Sequence, residues 1–426
     1  MEKDVGIEVY LTETRGLGGR IKTSPEDFVV DELPSMPPRE DGGKLTAAWI
    51  RTRNWETNRL VRAMSRELHI SRKRISFAGT KDKRAVTTQL FEFDVDPATI
   101  LNMRIKDVDV LDAYPTSKEV SIGDLKGNRF EIVIREVRMP VEEAVEIATA
   151  TDDKLRQAGG FPNFFGMQRF GSIRPITHIV GKQIIRGDFK AAVDAYVANP
   201  IEGESDEEFE ARTGLEEGGD YAEALKKYPD VMSFEKAILN HLVVRPDDYV
   251  GALQQLPFNL LMMFVHGYQS YLFNKMLSER IRRGLPVNAP LDGDILMPLD
   301  RQGLPDDRRF IPVTSGNLEK ANAQVLGGKA LVTGVLFGSK SSFAGGVMGE
   351  IERSTIEAEG LKPEDFTIPK MPRLSSRGTR RALAVIMPPM AMAPFESAMK
   401  MKFELPRGCY ATMLLREFMK VDPLEG

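Results

Sequence analysis

Alternation of apolar and polar residues predicts β-strands in the first 140 residues of the chain, because successive side chains of a strand point to opposite faces. The clearest is 130–137, in which Phe130, Ile132 and Ile134 lie on one side. Gly127, which lies shortly before this strand, predicts a turn over 126–128. A short strand after a turn is predicted in the segment 20–33, where Phe28, Val29 and Val30 carry the β propensity. The other predicted strands are 75–78 and 90–95, and the polar loop predicted between them is 79–89.

Two segments of the same region have apolar residues three and four positions apart, the spacing of one helical face. They predict amphipathic helices over 58–68 and 141–157. The apolar residues of the first are Leu60, Val61, Met64 and Leu68. Gly159 and Gly160 are predicted to end the second helix, since glycine readily adopts the left-handed conformation found at helix C-termini.

Beyond residue 160 the pattern changes. Residues 183–285 have mostly helical spacing, and a buried helix is predicted over 260–280. Its apolar positions are Leu260, Met263, Phe264, Tyr271 and Leu272. Residues 286–372 are rich in Gly and Pro and are predicted to contain short strands, and 381–387 and 403–416 again have the composition of strands. These elements predict an α+β protein.

The simplest domain organisation is a sheet-based domain interrupted by a large insertion. The sheet-based domain is predicted to comprise 1–160 and 371–426, and the inserted domain 161–370. The chain has 426 residues, of which 42% are hydrophobic. That is enough material for more than one hydrophobic core, so two domains are expected.

Composition narrows the compartment and the chemistry. There is no apolar run of about 20 residues to span a bilayer and no signal-peptide pattern at the N-terminus, so a soluble, cytoplasmic protein is expected. Cys409 is the only cysteine of the chain, which excludes an intrachain disulfide and a cysteine zinc cage. The four histidines are scattered. We therefore expect no metal and no cofactor. We also expect the protein to be a monomer.

The net charge of −4 conceals a strongly uneven distribution. Residues 51–84 contain eleven Lys and Arg against three acids, a local charge of +8, whereas 202–220 have a local charge of −8. A basic segment of this density is typical of RNA or DNA binding. The alternative is an ordinary solvated helix face. The acidic segment is expected to be solvated.

The densest chemical signal is the segment 77–89, where Asp82 lies between Lys81 and the pair Lys83 and Arg84. Such cations can hold phosphates while the carboxylate faces what lies between them. They also favour the ionised form of Asp82, lowering its pKa, which a nucleophile or base requires. The alternative is an aspartate paired with its basic neighbours on a surface loop, which is ordinary.

The same segment resembles the GxKDxxAxTxQ signature of the TruD pseudouridine synthases, and Asp82 falls on the catalytic aspartate of that signature. Six further segments resemble motifs of this family, in the family's order along the chain. They are Lys22-Thr-Ser-Pro-Glu-Asp-Phe-Val-Val30, Leu125-Lys-Gly-Asn-Arg-Phe130, Asn163-Phe-Phe-Gly-Met-Gln-Arg-Phe-Gly171, Gln269-Ser-Tyr-Leu-Phe-Asn274, Thr333-Gly-Val-Leu-Phe-Gly338 and Leu405-Pro-Arg-Gly-Cys-Tyr-Ala-Thr-Met-Leu-Leu-Arg-Glu417. The long insert around 187–250 resembles the archaeal and eukaryotic members.

The resemblance implies the fold and the reaction. The sheet-based domain would have the mixed, mainly antiparallel sheet of pseudouridine synthases, with flanking helices, and the insertion would be the α/β TRUD domain. The reaction would be the isomerisation of uridine to pseudouridine in tRNA, at the expected position 13, with Asp82 as the catalytic carboxylate. Asp82 would attack C1′ or the base, or act on the sugar on the way to a glycal; the resemblance leaves this route open.

The resemblance also places substrate-binding residues. Phe28, Phe165 and Tyr410 fall on positions that line the base pocket, where stacking contributes about 1–3 kcal/mol per base. Hydrophobic core is the alternative for the two phenylalanines, and a buried strand tyrosine for Tyr410. Asn163 can bond a uracil edge or the Asp82 carboxylate; a turn or N-cap role is its alternative.

Cations supply the remaining contacts. Lys22 and Lys81 can contact phosphate or pair with Asp82, with a solvated lysine as the alternative for each. The predicted RNA-backbone residues are Lys83, Arg84, Arg377, Arg380 and Arg381. Lys370 and Arg373 lie in the same segment as Arg377, Arg380 and Arg381, and this segment contains no acidic residue. Gln168 and Arg169 are expected to be structural, and Arg416 and Glu417 to form a pair.

Two other functions are compatible with parts of the sequence. One is a non-catalytic RNA-binding or RNA-folding protein, which the intact Asp82 loop and the aromatic set disfavour. The other is a different RNA enzyme such as a methyltransferase. That would need a cofactor site, and no Gly-rich loop follows a predicted strand with an acid downstream.

Overall fold

A computed structural model of the chain describes residues 2–81, 83–171, 173–300, 303–306 and 308–421. The strands of these residues are β1 (Gly18–Arg20), β2 (Phe28–Pro34), β3 (Leu45–Arg53), β4 (Ile75–Phe77), β5 (Val86–Phe93), β6 (Val108–Thr116), β7 (Leu125–Val137), β8 (Phe161–Pro162), β9 (Ile295–Pro298), β10 (Ile311–Pro312), β11 (Ala330–Leu336), β12 (Thr379–Ala382), β13 (Ala384–Val385), β14 (Met390–Phe395) and β15 (Ala398–Pro406).

The described residues also contain α-helices, and the mixture of helices and strands confirms the α+β prediction. They are α1 (Thr57–Glu67), α2 (Pro97–Leu101), α3 (Val141–Gln157), α4 (Thr177–Ile185), α5 (Phe189–Val197), α6 (Asp206–Glu216), α7 (Tyr221–Lys227), α8 (Ser233–Val244), α9 (Tyr249–Leu253), α10 (Phe258–Arg282), α11 (Leu318–Leu326), α12 (Gly346–Ala358) and α13 (Ala411–Met419). No helix in this part of the chain is long and apolar enough to cross a bilayer.

The chain divides into two compact units. The sheet unit comprises Thr12–Arg156 and Ile386–Gly426, and the central unit comprises Met1–Leu11 and Gln157–Val385. Residues 157–160 and 371–385 thus pack with the central unit, as do the first eleven residues. The domain boundaries at 160 and 370 remain a prediction, because compactness alone does not define a functional domain.

The sheet unit is built on one large sheet with the strand order β14-β15-β7-β2-β5-β3-β6, and β1 and β4 add to β7 and β5. All pairs described in it are antiparallel except β2 with β5. This confirms the mixed, mainly antiparallel sheet. Helix α1 covers one face, burying Leu60, Val61 and Met64 against Phe91 and Phe93 of β5. The Glu56 side chain caps the helix N-terminus by accepting from two backbone N–H groups.

Strand β5 begins at Val86, so the prediction of a loop over 79–89 was wrong for its last four residues. Val86, Thr87 and Thr88 are β-branched and suit a strand. They pair with β2 on one side and with β3 on the other, and both threonines are buried. Pairing on two sides removes these polar residues from solvent, which their composition did not indicate.

The predicted turn over 126–128 was also wrong, because β7 runs through it without interruption. Gly127 pairs with Pro406 of β15 and with Leu33 of β2. A Cβ atom on Gly127 would lie 2.1 Å from the carbonyl oxygen of Leu405. The glycine is therefore required for close approach of two strands rather than for a turn.

In the central unit, α4 to α10 confirm the helical prediction for 183–285. The buried face of α10 differs from the predicted one: Leu260 and Tyr271 are half-buried and Met263 is exposed, whereas Phe264 and Leu272 are buried as predicted. Further buried residues of α10 are Leu261, Val265, Tyr268 and Phe273.

Two further segments depart from the sequence analysis. Residues 286–372 contain α11 and α12 in addition to the strands β9, β10 and β11, which form a four-stranded sheet with β12 in the order β10-β9-β11-β12. The segment 403–416 was predicted as a strand, but β15 ends at Pro406 and α13 begins at Ala411. The acidic segment 202–220 is mostly exposed, as expected, and contains α6; its only cation, Arg212, is buried against Glu204 and Glu235.

Candidate active site and RNA contacts

Asp82 lies outside the described residues, and the chain on either side of it is described. The Ala78 carbonyl accepts from the backbone N–H of Gly123 at 2.7 Å. The Gly79 carbonyl accepts from the side-chain amide of Gln89 at 3.2 Å. The Lys81 N–H donates to Oγ1 of Thr57, the first residue of α1, at 2.8 Å. The backbone leading to position 82 is therefore hydrogen-bonded to three other segments of the sheet unit.

Lys81 is buried, contrary to a solvated or phosphate-contacting lysine. Its ammonium lies 2.5 Å from Oε2 of Glu32, and the two side chains are 5% and 0% exposed. The sequence analysis expected Lys81 to contact phosphate or to pair with Asp82. The structure corrects this expectation, because Lys81 pairs with Glu32. The sequence analysis missed Glu32. The signal was available, because Glu32 is an acidic residue that follows Phe28 and Val30 at the alternate, inward positions of β2.

Lys22 and Phe28 lie together in the sheet unit. Lys22 has φ 58°, a left-handed conformation that few residues other than glycine adopt. Its Nζ lies 4.3 Å from the centroid of the Phe28 ring. Phe28 itself is 2% exposed and meets Phe130 edge-on. In this structure Phe28 is thus a core residue that carries a cation on one face.

The turn before Phe28 is held by Asp27, which bonds the Ser24 N–H and forms an ion pair with Arg135. Burial alone would raise the pKa of Asp27. The hydrogen bonds from Arg135 and from the Ser24 backbone outweigh this effect and hold the pKa below its usual range. Asp27 is therefore ionised at neutral pH and fixes the backbone that presents Lys22 and Phe28.

Tyr410 is half-buried and is the N-cap residue of α13, so it is not a strand tyrosine. Within that helix Arg416 and Glu417 form the expected pair at 3.8 Å. Glu417 also accepts from the backbone and hydroxyl groups of Thr12 and pairs with Lys420. These bonds fix α13, and with it the backbone position of Tyr410, within the sheet unit.

In the central unit the structure brings together Asn163, Phe165 and Arg381. Nη2 of Arg381 donates to Oδ1 of Asn163 at 2.5 Å, and its Nε donates to the Asn163 carbonyl. The Arg381 guanidinium carbon lies 4.1 Å from the centroid of the Phe165 ring. The amide nitrogen of Asn163 donates to the Ala382 carbonyl. Both ends of the Asn163 side chain are therefore engaged within the protein.

Phe165 is further fixed from behind by α10. Oδ1 of Asn274 accepts from the Phe165 N–H at 2.9 Å, and Nδ2 of Asn274 donates to the Phe165 carbonyl at 3.0 Å. The Phe165 ring meets that of Phe273 edge-on. Asn274 was not predicted as a site residue, although its motif was recognised. Arg169 donates to Ser270, in keeping with the structural role expected for it, and lies 5.7 Å from the Phe165 ring.

The cations assigned to the RNA backbone fall into two groups. Lys83, Arg84 and Arg377 are exposed. Arg380 is buried: its guanidinium pairs with Glu352 at 2.5 Å and donates to Thr333. A phosphate contact was predicted for Arg380, and the structure assigns it to the interior of the central unit instead, because a buried carboxylate already compensates its charge.

One basic surface was not assigned to individual residues from sequence. Arg59, Arg62 and Arg66 are exposed on α1 at positions i, i+3 and i+7, which lie on one helical face. The Arg59 guanidinium lies over Trp55. We call these three residues the arginine stripe. Among the described residues, no cluster of three His, Cys, Asp or Glu is arranged to hold a metal ion.

Comparison with known proteins finds relatives that match over nearly the full length of the chain. A family model for tRNA pseudouridine synthase D (TruD) matches residues 4–418. The chain is 42% identical to a Methanosarcina mazei protein, covering 100% of this chain and 98% of that one. It is 41% identical to a Natronomonas pharaonis protein, with 99% and 98% covered. Both relatives are named "Probable tRNA pseudouridine synthase D".

A solved structure is similar as well. It is the crystal structure of a Methanosarcina mazei protein described as "Putative tRNA pseudouridine synthase D (TruD)", with a TM-score of 0.87 and 42% identity. The match covers 100% of this chain and 98% of that chain. The fold and the sequence thus define a pseudouridine synthase. The chain belongs to the tRNA pseudouridine synthase D (TruD) family.

Proposed function

We propose that this protein isomerises uridine 13 of tRNA to pseudouridine, with Asp82 as the catalytic carboxylate. The observation that carries the proposal is the match of the family model to residues 4–418. It is supported by the resemblance of the basic segment 77–89 to the family's signature, in which Asp82 corresponds to the aspartate. We further propose that the protein acts as a monomer in the cytoplasm.

The chemistry requires little from the protein beyond binding and one carboxylate. The N1–C1′ bond breaks, the uracil turns within its pocket, and a C5–C1′ bond forms. The hydrogen on C5 leaves as a proton and N1 gains a proton, so the product is an isomer of the substrate and the reaction needs neither an oxidant nor a reductant. The base must leave the helical stack to react, at a cost of a few kcal/mol. Whether Asp82 reacts with the sugar or with the base remains open in this proposal.

The described residues support separate roles. Phe165 is buried, its backbone N–H is bonded by Asn274 of α10, and Arg381 lies over its ring. We propose that Phe165 binds the base by stacking, and that Asn163 acts through Arg381, since its own amide is already engaged. Tyr410 and Lys22 are proposed to contact the nucleotide, and Phe28 to support Lys22.

Phosphate contacts are proposed for the exposed cations Lys83, Arg84 and Arg377, together with Arg381, which is half-buried. Arg380 is omitted because of its buried pair with Glu352. Such contacts give most of the salt-dependent affinity for a nucleic acid and position it without reading its sequence.

The proposal is tested with tRNA carrying tritium at C5 of its uridines. Wild-type protein is expected to release tritium to water, and Asp82→Asn is expected to release none while binding the tRNA as well as wild type. No release by the wild type would contradict the synthase activity. Release by Asp82→Asn at the wild-type rate would show that another residue supplies the carboxylate. Binding without release by the wild type would favour a non-catalytic RNA-binding protein.

A further inference from the structure

The chain that leads into position 82 is held more firmly than a surface loop requires. Its hydrogen bonds come from Gly123, from Gln89 and from the segment that contains Asn54 and Thr57. Gly123 bonds Ala78, Gln89 bonds Gly79, and Thr57 accepts from the Lys81 N–H. On the other side of position 82, the Ala85 carbonyl accepts from the Asn54 N–H at 3.0 Å.

The strongest of these attachments is the buried ion pair of Lys81 with Glu32. Glu32 lies on β2, whose alternate residues Phe28, Val30 and Glu32 are buried on one face. Its other carboxylate oxygen, Oε1, is 3.4 Å from the Leu90 N–H of β5. Since β2 and β5 are adjacent parallel strands, Glu32 connects the rigid centre of the sheet with the residue that immediately precedes Asp82 in the chain.

Stability alone does not explain such a pair. Removing two charges from water costs several kcal/mol per ion, and neutral residues of similar volume often stabilise a protein equally well or better. What an ion pair provides and an apolar pair does not is a defined distance and orientation between its two ends. Lys81 is held by this pair through its side chain and by Thr57 through its backbone, so the residue has little freedom to rotate.

We infer that Glu32 and Lys81 form a positioning pair that fixes the loop carrying Asp82 for the reaction. The inference rests on the proposed function. Glu32 is a positioning residue rather than a catalytic one, because it acts through Lys81 and is itself completely buried. A displacement of about 1 Å of a reacting group lowers a rate by about 10²-fold, and this sets the size of the expected effect.

The test replaces both charges together, with Glu32→Gln and Lys81→Met in one full-length protein, so that no buried charge is left unpaired. The matched control is Arg280→Met with Asp294→Asn. That ion pair, at 2.7 Å, is equally buried but lies within the central unit. Single-turnover tritium release gives the rate of reaction, filter binding gives the Kd for tRNA, and thermal unfolding shows that each protein is folded.

The first double variant is expected to lose about 10²-fold in rate with an unchanged Kd for tRNA, and the control pair to keep the wild-type rate. A folded first variant with the wild-type rate would overturn the inference, as would an equal loss of rate in the folded control. Since wild type and Asp82→Asn are measured in the same assay, these outcomes differ from failure of the proposed function, which would appear as no release by the wild type.

A second set of variants serves if either double variant does not fold. Thr57→Val removes only the hydroxyl that accepts from the Lys81 N–H, and Thr57→Ser retains it. The rate is expected to fall in Thr57→Val and to be restored in Thr57→Ser, again with an unchanged Kd. Equal rates for wild type and a folded Thr57→Val would overturn the inference.

Discussion

Arg381 lies over the face of Phe165, with its guanidinium carbon 4.1 Å from the ring centroid. The two residues are far apart in sequence and meet because β12 returns beside the segment that contains Asn163. A planar cation on an aromatic ring contributes about 0.5–2 kcal/mol. Two hydrogen bonds from the Arg381 guanidinium hold it in this place: one to the backbone carbonyl of Asn163 and one to its side-chain Oδ1.

Replacing Arg381 by Lys is expected to lower kcat/KM for tRNA by about 10- to 100-fold, because hydrogen bonds to a charged group contribute about 1.5–3 kcal/mol. The charge is retained, but the planar group over Phe165 is lost. Asn163→Ala should have an effect of similar size. Arg377→Lys is the control: Arg377 is exposed, and we expect little change. Equal kinetics for Arg381→Lys and wild type would show that the contact is not used.

Gly127→Ala is expected to destabilise the protein strongly, because the added Cβ would lie 2.1 Å from the Leu405 carbonyl oxygen. Gly214→Ala is the matched control. Gly214 lies in α6, and beyond the backbone of that helix no atom lies within 4 Å of the position that a Cβ would occupy. Alanine there is expected to be neutral or to stabilise by up to about 1 kcal/mol. Thermal unfolding compares the two, and an unchanged Tm for Gly127→Ala would contradict the close approach of β7 and β15.

The stability of the central unit should depend on pH through the protonation of His178. Burial lowers the pKa of His178 to about 4, although a hydrogen bond with the Asp4 backbone acts in the opposite direction. Between about pH 6.5 and 4 the unfolded chain binds a proton that the folded protein does not, so acid favours unfolding. This stabilisation is present above pH 6.5 and is lost as pH falls through 4.

We therefore expect the stability advantage of wild type over His178→Gln to shrink by up to about 3 kcal/mol from pH 7 to pH 4. His69→Asn, at an exposed histidine, should parallel the wild type. The free energy of unfolding at several pH values measures both. A difference between wild type and His178→Gln that is constant with pH would show that His178 does not stay neutral in the folded protein.

The arginine stripe of α1 is expected to contact RNA phosphates. Changing Arg59, Arg62 and Arg66 together to Gln should weaken tRNA binding and reduce the slope of log Kd against log salt by about 2–3, since each phosphate contact contributes about 0.7–0.9. The control with the same charge change is Lys226→Gln, Lys227→Gln and Lys236→Gln in the central unit. Equal slopes for the stripe variant and wild type would exclude these contacts.

Elements with local signals could be predicted from the sequence. The bounds of α3 agree with the prediction, and those of α1 differ by one residue at each end. The apolar positions that predict a helix lie within the helical segment itself, so no information from other segments is needed. Gly159 and Gly160 have positive φ, as expected beyond the end of α3.

Features that depend on distant segments could not be predicted in this way. The strand character of 86–89 depends on β2 and β3, and the need for glycine at 127 depends on Leu405. Motif resemblance singled out Lys81 in the sheet unit and Asn163 and Phe165 in the central unit. Their partners Glu32, Arg381 and Asn274 are contributed by other parts of the chain, so the pairings became visible only in the folded protein.

The most direct measurement is the position of pseudouridine in tRNA after reaction with the purified protein. Carbodiimide labelling and reverse transcription would map the product on a tRNA transcript and on the same transcript with cytidine at position 13. Wild type is expected to form pseudouridine at position 13 of the first transcript and none in the second, and Asp82→Asn to form none in either. Product at position 13 from Asp82→Asn at the wild-type rate, or no product at that position from wild type, would contradict the account.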